Sequence, residues 1–226
     1  NNYKIIKVPE VDFNKNCIKE NITLTIDSNN TLHGKSSRVY TGYEKTNILN
    51  RIENIKKEDK LKDYYKNMLE KGNNNFLLDS FYEVNKFEYD KAFKINYSFN
   101  IKNYANKNED KIYINLNIDP YDVAAIKPPS PPKATIDYSH MFLGQYETTF
   151  EIPDGYTVDY IPENTIIEND LCDIKIEYYH EGNKIKHIHT LSTHFMMITV
   201  PQQKELNKLI EKVQRQFKEV LVLKKI

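Results

Sequence analysis

The chain has 226 residues, enough for one large or two small domains with a proper hydrophobic core. Its 32 basic residues balance its 32 acidic residues, so no net field would hold a polyanion, and we expect no nucleic-acid partner. The 17 Tyr and 10 Phe, together with alternating runs of β-branched residues, favour strands. No apolar run reaches the roughly 18 residues of a membrane span, so we expect no span in this chain.

Residues 1–126 are predicted to form a β-rich domain with a helical insertion. Apolar residues alternate with Thr over residues 22–26, and a second extended run over residues 32–42 follows a polar turn, which together predict a hairpin. From residue 43 the apolar spacing changes to three and four, which predicts two short helices on either side of residues 56–59.

Two further alternating runs, residues 93–101 and 112–118, complete this first half. Each has apolar residues at every second position, the pattern of a strand with one wet face. Because the two runs follow each other in the sequence, we expect them to pair antiparallel, with the helices against their apolar face.

Residues 127–140 interrupt the pattern with the Pro-rich run Lys127-Pro128-Pro129-Ser130-Pro131-Pro132-Lys133. Such a run adopts polyproline II, and we favour a stiff spacer over a ligand for an aromatic groove. The segment is predicted to be a linker between two domains or, if strands of both halves share one sheet, a surface crossover.

Residues 141–226 are predicted to form a domain with a β-hairpin and a C-terminal helix. A strand over residues 174–178 pairs with one beginning at Ile185 through the turn at Gly182-Asn183. Apolar residues at helical spacing follow Pro201, and residues 220–223 form a closing strand. The predicted fold class is therefore mainly β (α+β), with antiparallel β-sandwich-like domains, two short helices in the first half and one amphipathic helix near the C-terminus.

Neither cysteine has the setting of a nucleophile. A cysteine-based centre needs a thiol at a helix N-terminus, a His to take its proton and an Asp or Asn to orient the His. Cys17 precedes a strand and Cys172 begins one, so we predict no catalytic residue and no enzyme activity in this chain. Sequence leaves open whether the two thiols are free or paired.

His187 and His189 are the candidate metal ligands, because alternate residues of a strand share a face and two imidazoles could reach one ion. No Cys, Asp or Glu completes a ligand set, so we interpret both as ordinary surface histidines of a strand and predict no metal site. The chain has six Gly and no Gly-rich phosphate loop, and we expect no cofactor.

Four tyrosines are candidate ligand-binding residues, since a ring on a wet sheet face can stack on a sugar. They are Tyr113, Tyr121, Tyr178 and Tyr179. The favoured interpretation is ordinary packing, with half of these rings in the core and half at its rim.

An ordered set of motifs covers residues 146–226. It consists of Ile152-Pro153-Asp154-Gly155-Tyr156, the following segment 158–164, the Gly182-Asn183 hairpin and the Pro201-led helix that ends in an apolar strand and Lys224-Lys225. A looser set, Val8-Pro9-Glu10, residues 30–34 and Thr41-Gly42-Tyr43, precedes it. In this order the chain resembles the C-terminal region, a domain of unknown function, of bacterial, Bacteroidetes-type transglutaminase-like proteins. It departs from them at residues 134–139, where similar proteins have an Arg and a short apolar-Pro segment.

The resemblance implies a non-catalytic accessory module that follows a transglutaminase-like (Cys-His-Asp) domain and supports or shapes it. It also implies a periplasmic, cell-surface or secreted location, with the upstream domain of the same chain as the partner. The rival hypotheses are a carbohydrate-binding module that uses exposed Tyr residues and a protein-interaction or adhesion β-sandwich. The first residues lack the apolar region of a signal peptide, and the abrupt start within an extended run leads us to expect a fragment of a longer protein.

Overall fold

The computed structural model describes residues 10–119, 123 and 125–226, and strands dominate these ranges. The strands are β1 Cys17–Ile26, β2 Leu32–Tyr40, β3 Phe76–Val84, β4 Phe93–Ile101, β5 Asn106–Asn108, β6 Lys111–Ile114, β7 Ile136–Asp137, β8 Leu143–Glu151, β9 Tyr156–Tyr160, β10 Thr165–Glu168, β11 Cys172–Glu181, β12 Lys184–Thr193, β13 Met197–Ile198 and β14 Leu221–Lys225. The α-helices with described bounds are α1 Gly42–Glu53, α2 Glu58–Leu69 and α3 Val200–Gln216, and a short 3-10 helix covers Phe13–Lys15. The predicted fold class is confirmed, with two short helices in the first half and one amphipathic helix near the C-terminus.

Strands from both halves of the chain lie in one eight-stranded sheet, in the order β10-β11-β12-β8-β1-β2-β4-β3. The two halves meet where β1 runs parallel to β8, and the other neighbours in this sheet are antiparallel. A four-stranded sheet, β5-β6-β14-β9, also combines strands from the two halves, and β13 pairs with β7. The Pro-rich residues 127–133 lie in the chain between β6 of the four-stranded sheet and β7.

The expected pairing of residues 93–101 with residues 112–118 is wrong. β4 pairs with β2 and β3, whereas β6 pairs with β5 and β14 in the smaller sheet. Alternation specifies which face of a strand is wet but not which strand lies beside it. The turn before β6, with Glu109 at φ +49, gives that strand a local hairpin partner in β5.

Local chemistry explains the confirmed hairpins and the C-terminal helix. The Asp27 side chain accepts hydrogen bonds from the backbone N–H groups of Asn29 and Thr31 at 2.8 and 3.0 Å, which fixes the β1–β2 turn. Gly182 adopts φ +61 in the β11–β12 turn, a conformation that other residues rarely adopt. Thr199 and Gln202 form a capping box that starts α3, with Pro201 in its first turn.

The core lies between the inner face of the large sheet, the smaller sheet and the helices. One contiguous cluster of buried apolar residues includes side chains from both halves of the chain. Its largest fully buried members are Tyr65, Phe93, Phe99 and Phe150. None of the described helices is both long and apolar enough to cross a membrane.

The division of the chain at residues 127–140 stays a prediction from sequence. The sheets that both halves share suggest a test of it. Lys133 is exposed, so we expect trypsin to cut the Lys133–Ala134 bond. The two pieces should stay together on size-exclusion chromatography, because β1 and β8 remain hydrogen-bonded. Elution of two separate stable halves would instead support a linker between independent domains.

Candidate functional site

Four charged side chains meet in the core, on the inner face of the large sheet. They are Glu20 of β1, Arg38 of β2, Lys71 just after α2 and Asp119 after β6, and each is less than a tenth exposed. Two carboxylates face two cations, so the group is formally neutral. We call these four residues the charge cluster.

Both carboxylates of the charge cluster accept hydrogen bonds from both cations. Arg38 Nε and Nη2 donate to Glu20 Oε2 at 3.0 and 2.6 Å, and Lys71 Nζ donates to the same oxygen at 2.9 Å. Lys71 Nζ also donates to Asp119 Oδ2 at 3.0 Å, and Arg38 Nη2 donates to that oxygen too. Such charge-assisted hydrogen bonds are the strong ones in proteins, which offsets the cost of removing four charges from water.

Hydroxyl groups and aromatic rings enclose the charge cluster. Ser36 Oγ donates to Glu20 Oε1 at 2.5 Å, and the Tyr97 hydroxyl donates to the same oxygen. The Arg38 guanidinium lies 5.9 Å from the centre of the Tyr146 ring, within the range of a cation–π contact. Both oxygens of the Glu20 carboxylate are therefore satisfied within the protein.

The electrostatics hold the cluster in its ionised form. Burial alone would raise the pKa of Glu20, but the charges of Arg38 and Lys71 outweigh it and hold that pKa far below its usual value. Burial alone would lower the pKa of Arg38, but Glu20 and Asp119 raise it well above its usual value. Burial raises the pKa of Tyr40 to about 12 and that of Tyr97 well above its usual value. The ionised state of Glu20 and Arg38 and the neutral state of these tyrosines suit a structural role better than acid–base chemistry.

Sequence reasoning missed the charge cluster, although part of its signal was present. Glu20 interrupts the apolar positions of β1 between Ile18 and Ile22, and it lies directly opposite Arg38 of β2. Opposite charges at inward positions of two predicted hairpin strands indicate a buried pair. Lys71 and Asp119 lie outside regular elements, and no periodicity marked them.

A cleft of about 680 Å³ lies beside the charge cluster. It is lined by Lys71, Asn115, Asn117, Tyr104 and Phe217, among others. Because Lys71 already donates to Glu20 and Asp119, its ammonium brings no unpaired charge to the cleft.

The structure places His187 and His189 in the core, not at the surface. They are 1% and 0% exposed, and no ring nitrogen of either has a hydrogen-bond partner in the described part of the chain. The His187 ring lies 4.7 Å from the Tyr178 ring, and the His189 ring lies 4.8 Å from the Phe217 ring. Burial lowers the pKa of His187 to about 3 and that of His189 to about 4, so both rings are neutral and pack as aromatic side chains.

The metal prediction stays a prediction from sequence. Within residues 10–119, 123 and 125–226, no group of three His, Cys, Asp or Glu residues is placed to hold a metal ion. His187 and His189 supply two imidazoles on one strand face, which is fewer than the three or four protein ligands of usual zinc sites.

The candidate tyrosines are not brought together. Tyr178 is buried opposite His187, whereas Tyr179 is exposed and donates to Glu177 Oε1 at 2.7 Å. Tyr113 is half-buried in the smaller sheet, opposite Val222 of β14. Tyr121 lies outside the described residues.

Both cysteines are free and buried, which answers the question that sequence left open. Cys17 Sγ donates to the Asn14 carbonyl oxygen at 3.0 Å. Burial raises the pKa of the Cys172 thiol to about 11, so this thiol is protonated at neutral pH.

Comparison with known proteins gives one family match and one distant structural likeness. The model of a family described as a domain of unknown function with a solved structure, DUF3858, matches residues 110–223. A protein of Parabacteroides distasonis ATCC 8503, described as a putative protease, matches over 51% of this chain and 24% of its own length, with 14% sequence identity and a TM-score of 0.42. The chain thus spans about a quarter of that protein. No curated protein matches the chain.

The closed charge cluster predicts a large penalty for removing one member. Glu20→Gln keeps the shape of the side chain but leaves Arg38 and Lys71 with one carboxylate, and we expect a loss of about 3–5 kcal/mol in the free energy of unfolding. Glu147→Gln is the matched control, since Glu147 pairs with Lys186 at 2.8 Å on the outer face of the same sheet, and it should cost less than about 1 kcal/mol. Urea unfolding measures both, and equal effects would contradict the structural role of the cluster.

The buried histidines predict a loss of stability in mild acid. In the unfolded chain these two rings bind protons below their ordinary pKa of 6.5. In the folded chain both rings stay neutral until the pH falls to about 4. The free energy of unfolding therefore falls as the pH drops, by about 2 kcal/mol per ring between pH 7.5 and 5. The lowered pKa of Glu20 changes the free energy of unfolding only below about its ordinary pKa of 4.5, which lies outside this pH window.

Urea unfolding at pH 7.5 and 5 tests this dependence. The double variant His187→Phe/His189→Phe should flatten it, because Phe binds no proton in the unfolded chain. His180→Gln, at an exposed position of the β11–β12 hairpin, should leave it unchanged. A double variant with the wild-type slope would show that other groups cause the acid sensitivity.

Proposed function

We propose a function from the premise that this chain belongs to the DUF3858 family, a domain of unknown function. The chain acts as a non-catalytic accessory module that follows a transglutaminase-like (Cys-His-Asp) domain in a cell-envelope or secreted bacterial protein of the Bacteroidetes type. It supports that domain or shapes the approach of its substrate. The ordered motifs over residues 146–226 are the sequence basis of this proposal.

The observation that carries the proposal is the burial of the two thiols and of the imidazoles of His187 and His189. A transglutaminase-type centre needs a thiolate at a helix N-terminus beside a His that can exchange a proton. Here Cys172 is buried and protonated, and His187 and His189 are neutral and packed against aromatic rings. These side chains pack in the core, which supports the proposal that the catalytic triad belongs to another domain.

The charge cluster is the second argument for the proposal, because an accessory module needs a rigid fold to stabilise an attached domain. Glu20 and Arg38 join β1 to β2, and Lys71 and Asp119 bring the end of α2 and the segment after β6 to the same point. Removing any one of these four charges leaves an uncompensated charge in the core. A body fixed in this way can transmit a constraint to an attached domain.

Carbohydrate binding is the second candidate, and one observation favours it. The outer face of the large sheet carries a groove of about 510 Å³ lined by short polar side chains, among them Asn21, Thr23, Ser37 and Ser98. Tyr82, which is 63% exposed, lies at one side of this groove. Hydroxyl and amide groups beside an exposed ring suit a neutral sugar.

A reconstitution experiment tests the accessory function. The upstream part of the natural protein and this chain are produced separately, and we expect tight association and an upstream hydrolytic or acyl-transfer activity that depends on the added chain. Glu147→Gln serves as a control for general surface effects. Absence of both association and activation would sink the accessory proposal, and binding on a glycan array that Tyr82→Ser abolishes would favour the second candidate.

A further inference from the structure

The cleft of about 680 Å³ beside the charge cluster is lined by buried residues, among them Asn117, Ile118 and Phe217, and by the exposed residues Gln214 and Lys218. It therefore reaches from solvent toward the core. Binding sites for small molecules commonly enclose about 300–1,000 Å³, so this cleft has room for such a ligand. Its polar groups indicate which kind of molecule would fit.

Three polar side chains of this cleft already have partners within the protein. The Tyr104 hydroxyl donates to the backbone oxygen of Asn115 at 2.7 Å. Asn115 Nδ2 donates to the Phe217 carbonyl oxygen at 2.7 Å, and Asn115 Oδ1 accepts from the backbone N–H of Asn117 at 2.8 Å. Lys71 donates to the two carboxylates of the charge cluster. These contacts order the walls of the cleft, so a ligand does not bear that entropy cost.

The side chain of Asn117 differs from these three. The residue is 9% exposed, and its Nδ2 has no hydrogen-bond partner in the described part of the chain. A buried donor without a partner destabilises a fold, and each such group in a native structure calls for an explanation. An acceptor that enters the cleft would complete the hydrogen bond of Asn117.

The charges around the cleft favour a neutral ligand. Lys71 and Lys218 are the charged residues among the described residues that line it. The charge of Lys71 is matched by Glu20 and Asp119, and Lys218 is exposed, so its charge stays in water. The buried part of the cleft therefore offers no unmatched charge that would attract an ion.

The uncharged groups favour a ligand that contains an amide. A side-chain amide such as that of Asn117 carries both donors and an acceptor, so an amide group of a ligand can match it. The side chains of Tyr104, Ile118 and Phe217 add apolar surface to the lining. A ligand that combines an amide with an apolar group can use both kinds of contact.

We propose that this cleft binds a small neutral molecule that carries an amide next to an apolar group, with Asn117 Nδ2 donating to the carbonyl oxygen of that amide. Blocked amino acids and acetamido sugars share this chemistry. The proposal is independent of the accessory function, because it rests on the cleft alone.

An NMR titration of this chain with N-acetyl-L-phenylalaninamide tests the site. For a probe of this size we expect saturable binding with a Kd in the millimolar range. The side-chain NH2 resonances of Asn117 should shift with the same Kd as the backbone amides of Gly72 and Lys218, which also line the cleft. Saturable binding that leaves the Asn117 side chain unshifted would overturn the proposal, as would no binding of either this probe or N-acetyl-D-glucosamine.

The variant Asn117→Leu separates ligand binding from a role in the fold. Leu has a similar shape but no donor, so we expect about tenfold weaker binding of the probe. The urea midpoint of the free chain should stay the same or rise, because the variant no longer buries an unpaired donor. Asn50→Leu, the same change at an exposed position of α1, should leave the affinity unchanged. A lower urea midpoint in Asn117→Leu would show that Nδ2 serves the fold, and unchanged affinity in this variant would show that it does not contact the ligand.

Two further probes identify the class of ligand. Binding of N-acetyl-D-glucosamine that depends on Asn117 would support the site and identify an acetamido sugar as its ligand, whereas binding of the phenylalanine probe alone would identify a peptide-like amide. N-acetyl-L-phenylalanine has a carboxylate in place of the terminal amide, and we expect it to bind more weakly than the neutral probe. Tighter binding of this anion would overturn the assignment of a neutral ligand.

Discussion

The buried charge cluster is the interaction on which the rest of the structure depends. Its four members come from residues 20, 38, 71 and 119, so they are distant in sequence and meet at one point only when the fold is complete. Each charge is costly in the core by itself and becomes acceptable only when its partners are in place. The cluster therefore couples the register of β1 and β2 to the end of α2 and to the segment after β6.

The surroundings of the cluster follow from the same electrostatics. Tyr146 lies between the two kinds of buried group, since its ring is 5.9 Å from the Arg38 guanidinium and 5.8 Å from the His189 ring. Asp119 alone would raise the pKa of His189, but burial dominates and keeps the ring neutral. This part of the core thus contains matched charges in one place and uncharged aromatic packing beside it, because an additional unpaired charge would have no partner.

Sequence patterns predicted the local elements well and the long-range contacts poorly. Both predicted hairpins and the three α-helices with described bounds follow from periodicity, turn residues and, for α3, a capping box, which act over a few residues. The parallel contact of β1 with β8 joins strands that are more than a hundred residues apart, and alternation cannot specify such a neighbour. His187 and His189 share the inward positions of β12 with Ile185 and Leu191, so their burial could have been read from the sequence. We interpreted them as surface residues because histidine is polar.

The family match and the sheet topology lead to different boundaries for the functional unit. The match begins at residue 110, but β8 within it has β1 as a neighbour, and β1 begins at Cys17. Of the charge cluster, only Asp119 lies inside the matched residues. A piece cut at residue 110 would therefore keep a buried carboxylate without Arg38 and Lys71, and would leave one edge of β8 without hydrogen-bond partners. The physical unit thus extends back to β1.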